Sequence, residues 1–298
     1  METVQKEMRR TGLSEVQVLN VVARSLMVRH LSQIYPDRFW LKGGGLLYHV
    51  YGSPRASFTD TDMADISKEF VTGIDLSKIF TLKGDGYYVA GKDGTWGVKD
   101  DIVQGEVPFF IQNFRLKKDD SKLKLSVSLR KGEVLDKRPP MNYNALDLLT
   151  GQNIFKVNGL SLEELSAEKT LGWCIKQDLY KHYIDLALIA RNFGNEIEIS
   201  NYSSMLSTKF YAEKKSEQKK EIYAILNLKT PEDLRREFGS RTKLLAMEKD
   251  WRKTIDSNIY LTREERARPD SIANLNNVMD LVNSFWTPVL ESLKGLDL

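Results

Sequence analysis

The sequence predicts an α+β protein, with a mixed sheet-and-helix half followed by a helical half. Between about residues 80 and 135, segments of alternating apolar and polar residues are separated by clusters of turn residues, which is typical of antiparallel strands and hairpins. Pro139-Pro140 closes this strand region. Beyond about residue 160, apolar residues recur almost wholly at helical spacing. The predicted domains are therefore residues 1–158 and 159–298.

The first half opens with an amphipathic helix, predicted over residues 13–35. Ser14 is a candidate cap for its first turn, and Pro36 stops it because proline cannot continue the hydrogen-bond ladder. The short apolar run at 39–41 then predicts a strand. This strand leads directly into the most informative segment of the chain.

Three consecutive glycines, Gly43 to Gly45, follow this strand and precede a short helix predicted over residues 46–51. The segment 52–54, which contains a glycine and a proline, must end that helix and return the chain to a second strand. The second strand carries Asp60 and Asp62, and their two-residue spacing predicts that both carboxylates lie on one face.

The remaining elements follow the same two patterns. Alternation predicts strands around 87–90 and 123–129. Helical spacing predicts helices over residues 161–176, 178–192, 203–227, 231–256 and 271–293. No repeat period and no low-complexity tract stands out, so a solenoid is not predicted.

Composition sets broad limits on function. The chain has 298 residues and is 41% hydrophobic, which is enough for a real core and argues against disorder. Its net charge is +3, from 44 basic and 41 acidic side chains, so the total does not demand a nucleic-acid partner. Basic clusters at 214–220, 235–243 and 263–268 are interpreted first as solvated helix faces, with a footprint for a phosphate backbone as the alternative.

Several classes of protein are not supported. The single cysteine, Cys174, cannot form an intramolecular disulfide, which fits a reducing cytoplasm, and its apolar neighbours predict a buried position. The N-terminus lacks the order of a signal peptide, and no apolar run is long enough to span a bilayer. Histidines occur only at positions 30, 49 and 182, without a second ligand at zinc spacing.

The glycine run and the two aspartates together predict a site for a phosphate and its metal. Glycine lets phosphate oxygens approach backbone N–H groups closely, and two neighbouring carboxylates suit Mg²⁺, which prefers one or two carboxylates plus substrate phosphates. Each half alone is weak, because a triple glycine is more often a flexible turn and Asp-x-Asp occurs by chance in loops. Their order and spacing carry the prediction.

A second candidate cluster lies in the helical half. Lys169 and Asp185 each fall in an otherwise apolar helical stretch, where a charge is costly unless it is paired or faces a ligand. Spacing alone favours the simpler interpretation, in which the two residues pair with each other at the edge of a helix–helix seam. The alternative is that they face a ligand.

These two clusters, taken in order, resemble the AbiEii toxin family of nucleotidyltransferases, which includes the mycobacterial MenT toxins. The resemblance covers about residues 38–190, while the C-terminal third is similar only as a helical domain of suitable length. It is carried by Gly43, Gly44, Leu46, Leu47, Tyr51, Arg55, Asp60, Asp62, Glu168, Lys169, Lys181, Tyr183, Asp185 and Leu186.

The resemblance implies a DNA polymerase β-type nucleotidyltransferase fold, with a small mixed sheet and a helical domain that closes over the nucleotide. It implies the toxin of a type IV toxin–antitoxin, or abortive infection, system with a cognate antitoxin as partner. It also implies Mg²⁺-dependent transfer of a nucleotide from a nucleoside triphosphate. For MenT-like members the acceptor is the 3′ end of tRNA, which favours tRNA here and a block of translation.

Carried over residue by residue, the resemblance assigns roles to eight positions. Gly43 and Gly44, with Ser57 or Thr59, are expected to contact the triphosphate, and Asp60 and Asp62 are expected to hold Mg²⁺. Lys169 would neutralise phosphate charge, and Asp185 would orient or deprotonate the attacking hydroxyl.

Three departures from the family pattern keep alternatives open. Gly45 stands where a small hydroxyl residue is usual, and one extra residue between Arg55 and Asp60 leaves the choice between Ser57 and Thr59 undecided. The position expected for a third carboxylate, within 125–129, offers serine. A nucleotide-binding regulatory protein on a degenerate transferase fold therefore remains an alternative, as does nucleotidyl transfer to a small molecule or protein.

Overall fold

The computed structural model divides the chain into two compact units, Met1–Leu160 and Ser161–Leu298. It describes residues 2–56, 61–67, 73–84, 87–99, 102–111, 123–132, 134–146, 153–175, 180–212, 249, 251–252, 260–261 and 263–293. Every statement below concerns these residues.

A sheet forms the centre of the first unit. Its strands are β1 (Phe39–Leu41), β3 (Thr61–Asp65), β4 (Thr81–Gly84), β5 (Tyr87–Ala90), β6 (Thr95–Lys99), β7 (Ile102–Ile111) and β8 (Leu123–Lys131). They pair in the order β1-β3-β8-β7-β5-β4, and β6 shares the edge of β7 with β5. Strand β2 (Arg55–Ala56) lies between β1 and β3 in the chain.

The sheet is mixed, because β3 runs parallel to β8 while its other pairs are antiparallel. One face of β8 is apolar and buried, through Leu125, Val127 and Leu129, and the intervening Ser126 and Ser128 are half-buried on the opposite face. This alternation follows from the two-residue period of a strand. It assigns β8 one core-facing side and one polar side.

Four helices belong to this unit: α1 (Glu2–Thr11), α2 (Glu15–Ile34), α3 (Gly43–His49) and α4 (Gly73–Ile79). The predicted helix at 13–35 is confirmed as α2, and Ser14 and Gln17 cap it reciprocally through side chain and backbone. The sequence reasoning missed α1. Helix α1 is rich in polar residues, and among its described apolar side chains only that of Val4 is fully buried. Its sequence therefore carries a weak pattern of apolar residues.

Pro139-Pro140 does not end the strands of this unit, contrary to the prediction. A hairpin follows, in which β9 (Met141–Ala145) pairs antiparallel with β10 (Asn153–Val157). Along β9 the buried side chains are Tyr143 and Ala145, so the strand has the expected period of two but only a weakly apolar inward face. That short, partly polar pattern gave little sequence signal.

The hairpin and α3 together bury His49. Its ring stacks on Tyr143 with centroids 4.4 Å apart, and its Nδ1 donates a hydrogen bond of 2.9 Å to the backbone carbonyl of Asn144. Burial is the main cause that lowers the pKa of His49 from 6.5 to about 4; the charge of nearby Arg24 adds to this lowering, and the hydrogen bond with the Asn144 carbonyl opposes it. The folded protein therefore holds His49 neutral.

We expect this histidine to make the protein less stable in acid. Its folded-state pKa is depressed, so its contribution is fully present above about pH 6.5 and is lost as pH falls toward about 4, because the unfolded chain binds the proton first. The shift corresponds to about 3 kcal/mol. Chemical denaturation between pH 7.5 and 4.5 measures it: His49→Gln should flatten the dependence, whereas the half-exposed His30→Gln should leave most of it. An unchanged slope in His49→Gln would contradict the assignment.

The described helices of the second unit are α5 (Leu162–Ile175), α6 (Tyr180–Phe193), α7 (Ile199–Ala212), α8 (Arg263–Ala267) and α9 (Leu275–Leu293). Four of them pack together, α5 against α6 and α7, and α9 against α6 and α7. The short strand β11 (Tyr260–Leu261) lies between α7 and α8 in the chain.

The sequence predictions for this unit are largely matched where they can be compared. The predicted helices at 161–176, 178–192 and 271–293 correspond to α5, α6 and α9. The helix predicted at 203–227 begins earlier, at Ile199, and beyond residue 212 the prediction lies outside the described residues, as does nearly all of that at 231–256.

The core of the helical unit is aromatic. Trp173 stacks on Tyr183 at 4.7 Å between centroids, and Tyr183 also contacts Trp286. Cys174 is buried beside them, as the sequence predicts, and burial raises the pKa of its thiol to about 12. In the described part of the chain, no helix is both long and apolar enough to cross a membrane.

Candidate functional site

The end of β1 and the middle of β3 meet at the glycine run. Leu41 pairs with Met63, and the backbone N–H of the next residue, Lys42, donates a 2.9 Å hydrogen bond to the backbone carbonyl of Asp62. Asp62 is half-buried, and its side chain points to the face of β3 opposite the buried Thr61 and Met63. The strand thus delivers one carboxylate directly beside the turn into α3.

Gly43 lies against that carboxylate. Its φ of +69° falls in the left-handed region that favours glycine, and a Cβ on Gly43 would overlap Oδ2 of Asp62 and come within 3.1 Å of its Cβ and Cγ. Two separate demands, conformation and space, therefore require glycine at this position. The structure brings Gly43 and Asp62 together, as the sequence pattern predicts.

The helix after this turn begins earlier than predicted. It starts at Gly43 and ends at His49, whereas the sequence predicts residues 46–51. Two of the three glycines are thus buried in its first turn, where backbone N–H groups have no acceptor within a helix. Glycine has low helix propensity, so propensity alone shifts the predicted start toward Leu46.

The glycines offer a matched pair of substitutions. We expect Gly43→Ala to displace Asp62 and to lower the rate of the nucleotide transfer implied by the resemblance about a hundredfold, as misplacement of a reacting group by roughly 1 Å can do. Gly45→Ala should have little effect, because nothing lies within 4 Å of a Cβ at Gly45. Steady-state rates of nucleotide transfer compare the two variants. Equal effects would show that the Gly43–Asp62 contact is not what matters.

Three predicted site residues, Ser57, Thr59 and Asp60, lie outside the described residues. Their assigned contacts with triphosphate and metal remain predictions. The choice between Ser57 and Thr59 for the hydroxyl role therefore stays open.

The strand register identifies the neighbour of Asp62 on the next strand. Asp62 pairs with Ser128 of β8, and Ser128 pairs in turn with Gln104 of β7. Paired residues place their side chains on the same face, so this row carries one carboxylate, one hydroxyl and one amide. Ser128 lies beside Asp62 and within residues 125–129, the segment in which the sequence predicts the position of a third carboxylate.

The other acidic residue of β3 has a different role. Asp65 is buried on the opposite face from Asp62, and its carboxylate forms an ion pair of 2.9 Å with Arg38. Arg38 also lies over the Phe39 ring at 5.1 Å. Asp65 thus links the start of β1 to the end of β3. Among the residues of β3 that the structure describes, Asp62 is the one whose carboxylate lies at the glycine turn.

In the helical unit, Lys169 of α5 and Asp185 of α6 form an ion pair. Nζ of Lys169 lies 2.5 Å from Oδ2 of Asp185. The Asp185 side chain is completely buried, whereas 8% of the Lys169 side chain is exposed. The pairing favoured by spacing alone is therefore present.

The two members of this pair differ in exposure, and this difference affects what each can do chemically. A lysine ammonium has three donors, and the contact with Asp185 does not occupy all of them. A buried carboxylate that already holds an ammonium is better suited to orient that ammonium than to remove a proton from another group. The geometry therefore makes Lys169 the group of the pair that can meet a ligand.

The structure thus forms two of the predicted pairs, Gly43 with Asp62 and Lys169 with Asp185, one in each compact unit. Sequence reasoning passed over Lys42, whose backbone anchors the glycine turn to Asp62. A lysine directly before a glycine run, next to a predicted phosphate site, is the signal that could have found it.

Comparison with known proteins adds an independent observation. A model of the nucleotidyl transferase AbiEii toxin family, of type IV toxin–antitoxin systems, matches residues 90–275. The match includes Lys169 and Asp185 and begins after Gly43 and Asp62. The residue pattern predicts the resemblance over 38–190, so the match starts later and extends further than predicted. No match was found among curated protein sequences.

A solved structure is similar over nearly the whole chain. MenT4, a nucleotidyltransferase toxin from Mycobacterium tuberculosis H37Rv, aligns with 99% of this chain and 90% of its own, at a TM-score of 0.56 and 15% sequence identity. At this identity the likeness concerns the fold alone. It confirms the predicted α+β nucleotidyltransferase fold.

Proposed function

This chain belongs to the nucleotidyl transferase AbiEii toxin family of type IV toxin–antitoxin systems, and from that premise we propose that it moves a nucleotide from a nucleoside triphosphate onto the 3′ end of tRNA, with Mg²⁺ as cofactor. A blocked 3′ end cannot be aminoacylated, so translation would stop. The proposed acceptor places the activity in the cytoplasm, and a cognate antitoxin is the expected partner. The contact between Gly43 and Asp62 is the observation that carries this proposal.

The residues at the glycine turn fit Mg²⁺. Asp62 offers hard carboxylate oxygens at a half-buried position, and Asp60 is the proposed second ligand. No group of three His, Cys, Asp or Glu residues that could hold a metal occurs within the described ranges. Mg²⁺ does not need such a group, because it takes one or two carboxylates and completes its shell with phosphates and water. When bound, it would neutralise phosphate charge and hold the triphosphate oxygens in place.

The glycine turn is proposed to receive the triphosphate next to that carboxylate. A Cβ at position 43 would overlap Oδ2 of Asp62, so glycine lets this carboxylate lie directly against the backbone of the turn. Backbone N–H groups of Gly43 and Gly44 would donate to the triphosphate, with the hydroxyl of Ser57 or Thr59 as a further contact. Transfer reactions of this kind depend on such positioning more than on covalent catalysis.

Lys169 is proposed to neutralise charge on the phosphates, and Asp185 to hold its ammonium in place. This narrows the role assigned from resemblance, in which Asp185 orients or deprotonates the attacking hydroxyl. The complete burial of Asp185 and its 2.5 Å contact with Lys169 support orientation of the lysine. Charge neutralisation is worth most in the transition state, where negative charge develops on the phosphate oxygens.

A label-transfer assay tests the proposal. The protein is incubated with Mg²⁺, total RNA and each labelled nucleoside triphosphate in turn, beside Asp60→Asn and Asp62→Asn variants. We expect label in RNA of tRNA size, lost in both variants and lost when periodate first destroys the terminal ribose diol. Label that resists periodate would contradict the 3′ end, and label on protein or a small molecule would identify another acceptor. The absence of any transfer would contradict the enzyme.

The register beside Asp62 favours one second candidate. Because Ser128 pairs with Asp62 where another carboxylate could stand, the chain could bind a nucleotide for regulation without transferring it. In that case labelled triphosphate should bind with Mg²⁺ and dissociate unchanged in the presence of every acceptor tested. Product formation by the wild type excludes this candidate.

A further inference from the structure

A partly buried ion cluster outside the proposed phosphate and metal contacts joins α5 to α7. Nζ of Lys209 on α7 lies 2.9 Å from Oε1 of Glu164 and 3.2 Å from Oε1 of Glu168, both on α5. The Glu164 side chain is completely buried. Although burial lowers the pKa of Lys209, the charges of Glu168 and Glu164 raise it above its usual value, so the lysine is charged.

This cluster flanks Lys169 along α5. Glu168 immediately precedes Lys169 in the chain, and Glu164 lies one turn before Glu168. Lys209 therefore contacts α5 at two points of the same face. Without the cation, two carboxylates four residues apart would repel each other on that face, one of them with no access to water. Lys209 therefore ties this face of α5 to α7.

The three residues 168–170 are each tied to different groups. Glu168 contacts Lys209 of α7, and Lys169 contacts Asp185 of α6. Thr170 Oγ1 lies 2.5 Å from the Tyr202 hydroxyl of α7 and accepts a 3.2 Å hydrogen bond from Nε1 of Trp286 on α9. Successive helical residues point about 100° apart, so these ties hold the helix turn from three sides. Lys169 sits in the middle of that turn.

We propose that Lys209 is a positioning residue for Lys169: by clamping Glu164 and Glu168, it fixes the turn of α5 from which Lys169 meets the triphosphate. This inference rests on the proposed function of Lys169. It gives a half-buried lysine, the buried Glu164 and the half-buried Glu168 a role in transfer rather than in stability alone. Lys209 itself touches neither substrate nor metal.

Kinetics of Lys209→Met, which removes the charge but keeps an unbranched apolar side chain, test the proposal. We expect kcat to fall about ten- to a hundredfold, the range typical of residues that orient a functional group, with a smaller change in KM for the triphosphate. Lys209→Arg keeps the charge and should recover most of the activity. An equal loss in both variants would contradict the role of the charge.

The matched control is Arg191→Met. Arg191 of α6 forms a 2.6 Å ion pair with the almost fully buried Glu265 of α8, so its loss also breaks a buried pair in the helical unit. Rates are measured well below the unfolding temperature of each variant. We expect both variants to lose stability but only Lys209→Met to lose kcat. An equal loss of kcat in Arg191→Met would show that the loss in Lys209→Met results from lower stability and not from the position of Lys169.

A kinetic double-mutant cycle shows whether Lys209 acts through Lys169. The second substitution is Lys169→Arg, which retains a charge and enough rate to measure. If Lys209 works by placing Lys169, Lys209→Met should cost much less in that background than in wild type. Additive losses would overturn the proposal. A wild-type protein without transfer activity would instead contradict the proposed function, so the two failures are distinguishable.

Discussion

The Asp62→Asn variant is expected to lose nucleotide transfer by a factor on the order of a thousand, as removal of a main electrostatic group at a transferring phosphate does. Asparagine keeps the size of the side chain but removes its charge, so the Mg²⁺ proposed to bind here would lose a carboxylate ligand. Because Asp62 is half-buried and asparagine has nearly the same shape, the new side chain should fit against Gly43 as aspartate does, and folding should change little. Transfer rates and thermal unfolding of the same preparation measure both effects.

A second aspartate on the same strand is the matched control. Asp65→Asn breaks the 2.9 Å ion pair with Arg38 on the other face of β3. We expect it to lower the free energy of unfolding by roughly 2 kcal/mol while leaving the rate per folded molecule near wild type. If Asp65→Asn abolished transfer and Asp62→Asn did not, the assignment of the two faces of β3 would be wrong.

The Lys169→Met variant is expected to lose both activity and stability. Its partner Asp185 is completely buried, so removal of the lysine takes a positive charge away from a buried carboxylate, which costs about 3–5 kcal/mol in such pairs. Transfer should fall on the order of a hundredfold or more, since charge on the phosphates is no longer neutralised. Denaturant unfolding and steady-state kinetics separate the two losses.

The double variant Lys169→Met/Asp185→Asn divides stability from catalysis. With neither charge present, no buried ion is left unpaired, so the free energy of unfolding should recover most of the loss seen in Lys169→Met. Activity should not recover, because the ammonium is still missing. Recovered activity in the double variant would show that Lys169 is only a structural partner of Asp185.

Local sequence patterns predicted those parts of the fold that depend on interactions between residues close together in the chain. The Ser14 cap and the apolar spacing of α2, the strand before Gly43 and the helices around Lys169 and Asp185 follow from periodicity and capping. The hairpin of β9 and β10 was missed because its inward face offers Tyr143 and Ala145, a weak apolar pattern. The start of α3 was misplaced because glycine is a poor helix former in isolation, whereas here contacts with the neighbouring strand fix it.

The candidate site shows the same division. Residue type and order were enough to choose Gly43, Asp62, Lys169 and Asp185 as candidates, since phosphate transfer needs close backbone approach, carboxylates and a cation. Their roles required coordinates. Only the contact with Asp62 explains why position 43 must be glycine, and only burial distinguishes Lys169, with 8% of its side chain exposed, from the completely buried Asp185.

By itself, then, the sequence determined the fold class, the family resemblance and the residue types of the site, because these follow from patterns along the chain. The tertiary structure alone decided which carboxylate of β3 is committed to Arg38, which residue stands beside Asp62 on the next strand, and which cation clamps α5. Glu168, Lys169 and Thr170 are adjacent in sequence, yet their partners lie on three other helices. Pairings between such distant residues depend on strand register and helix packing, which no local pattern specifies.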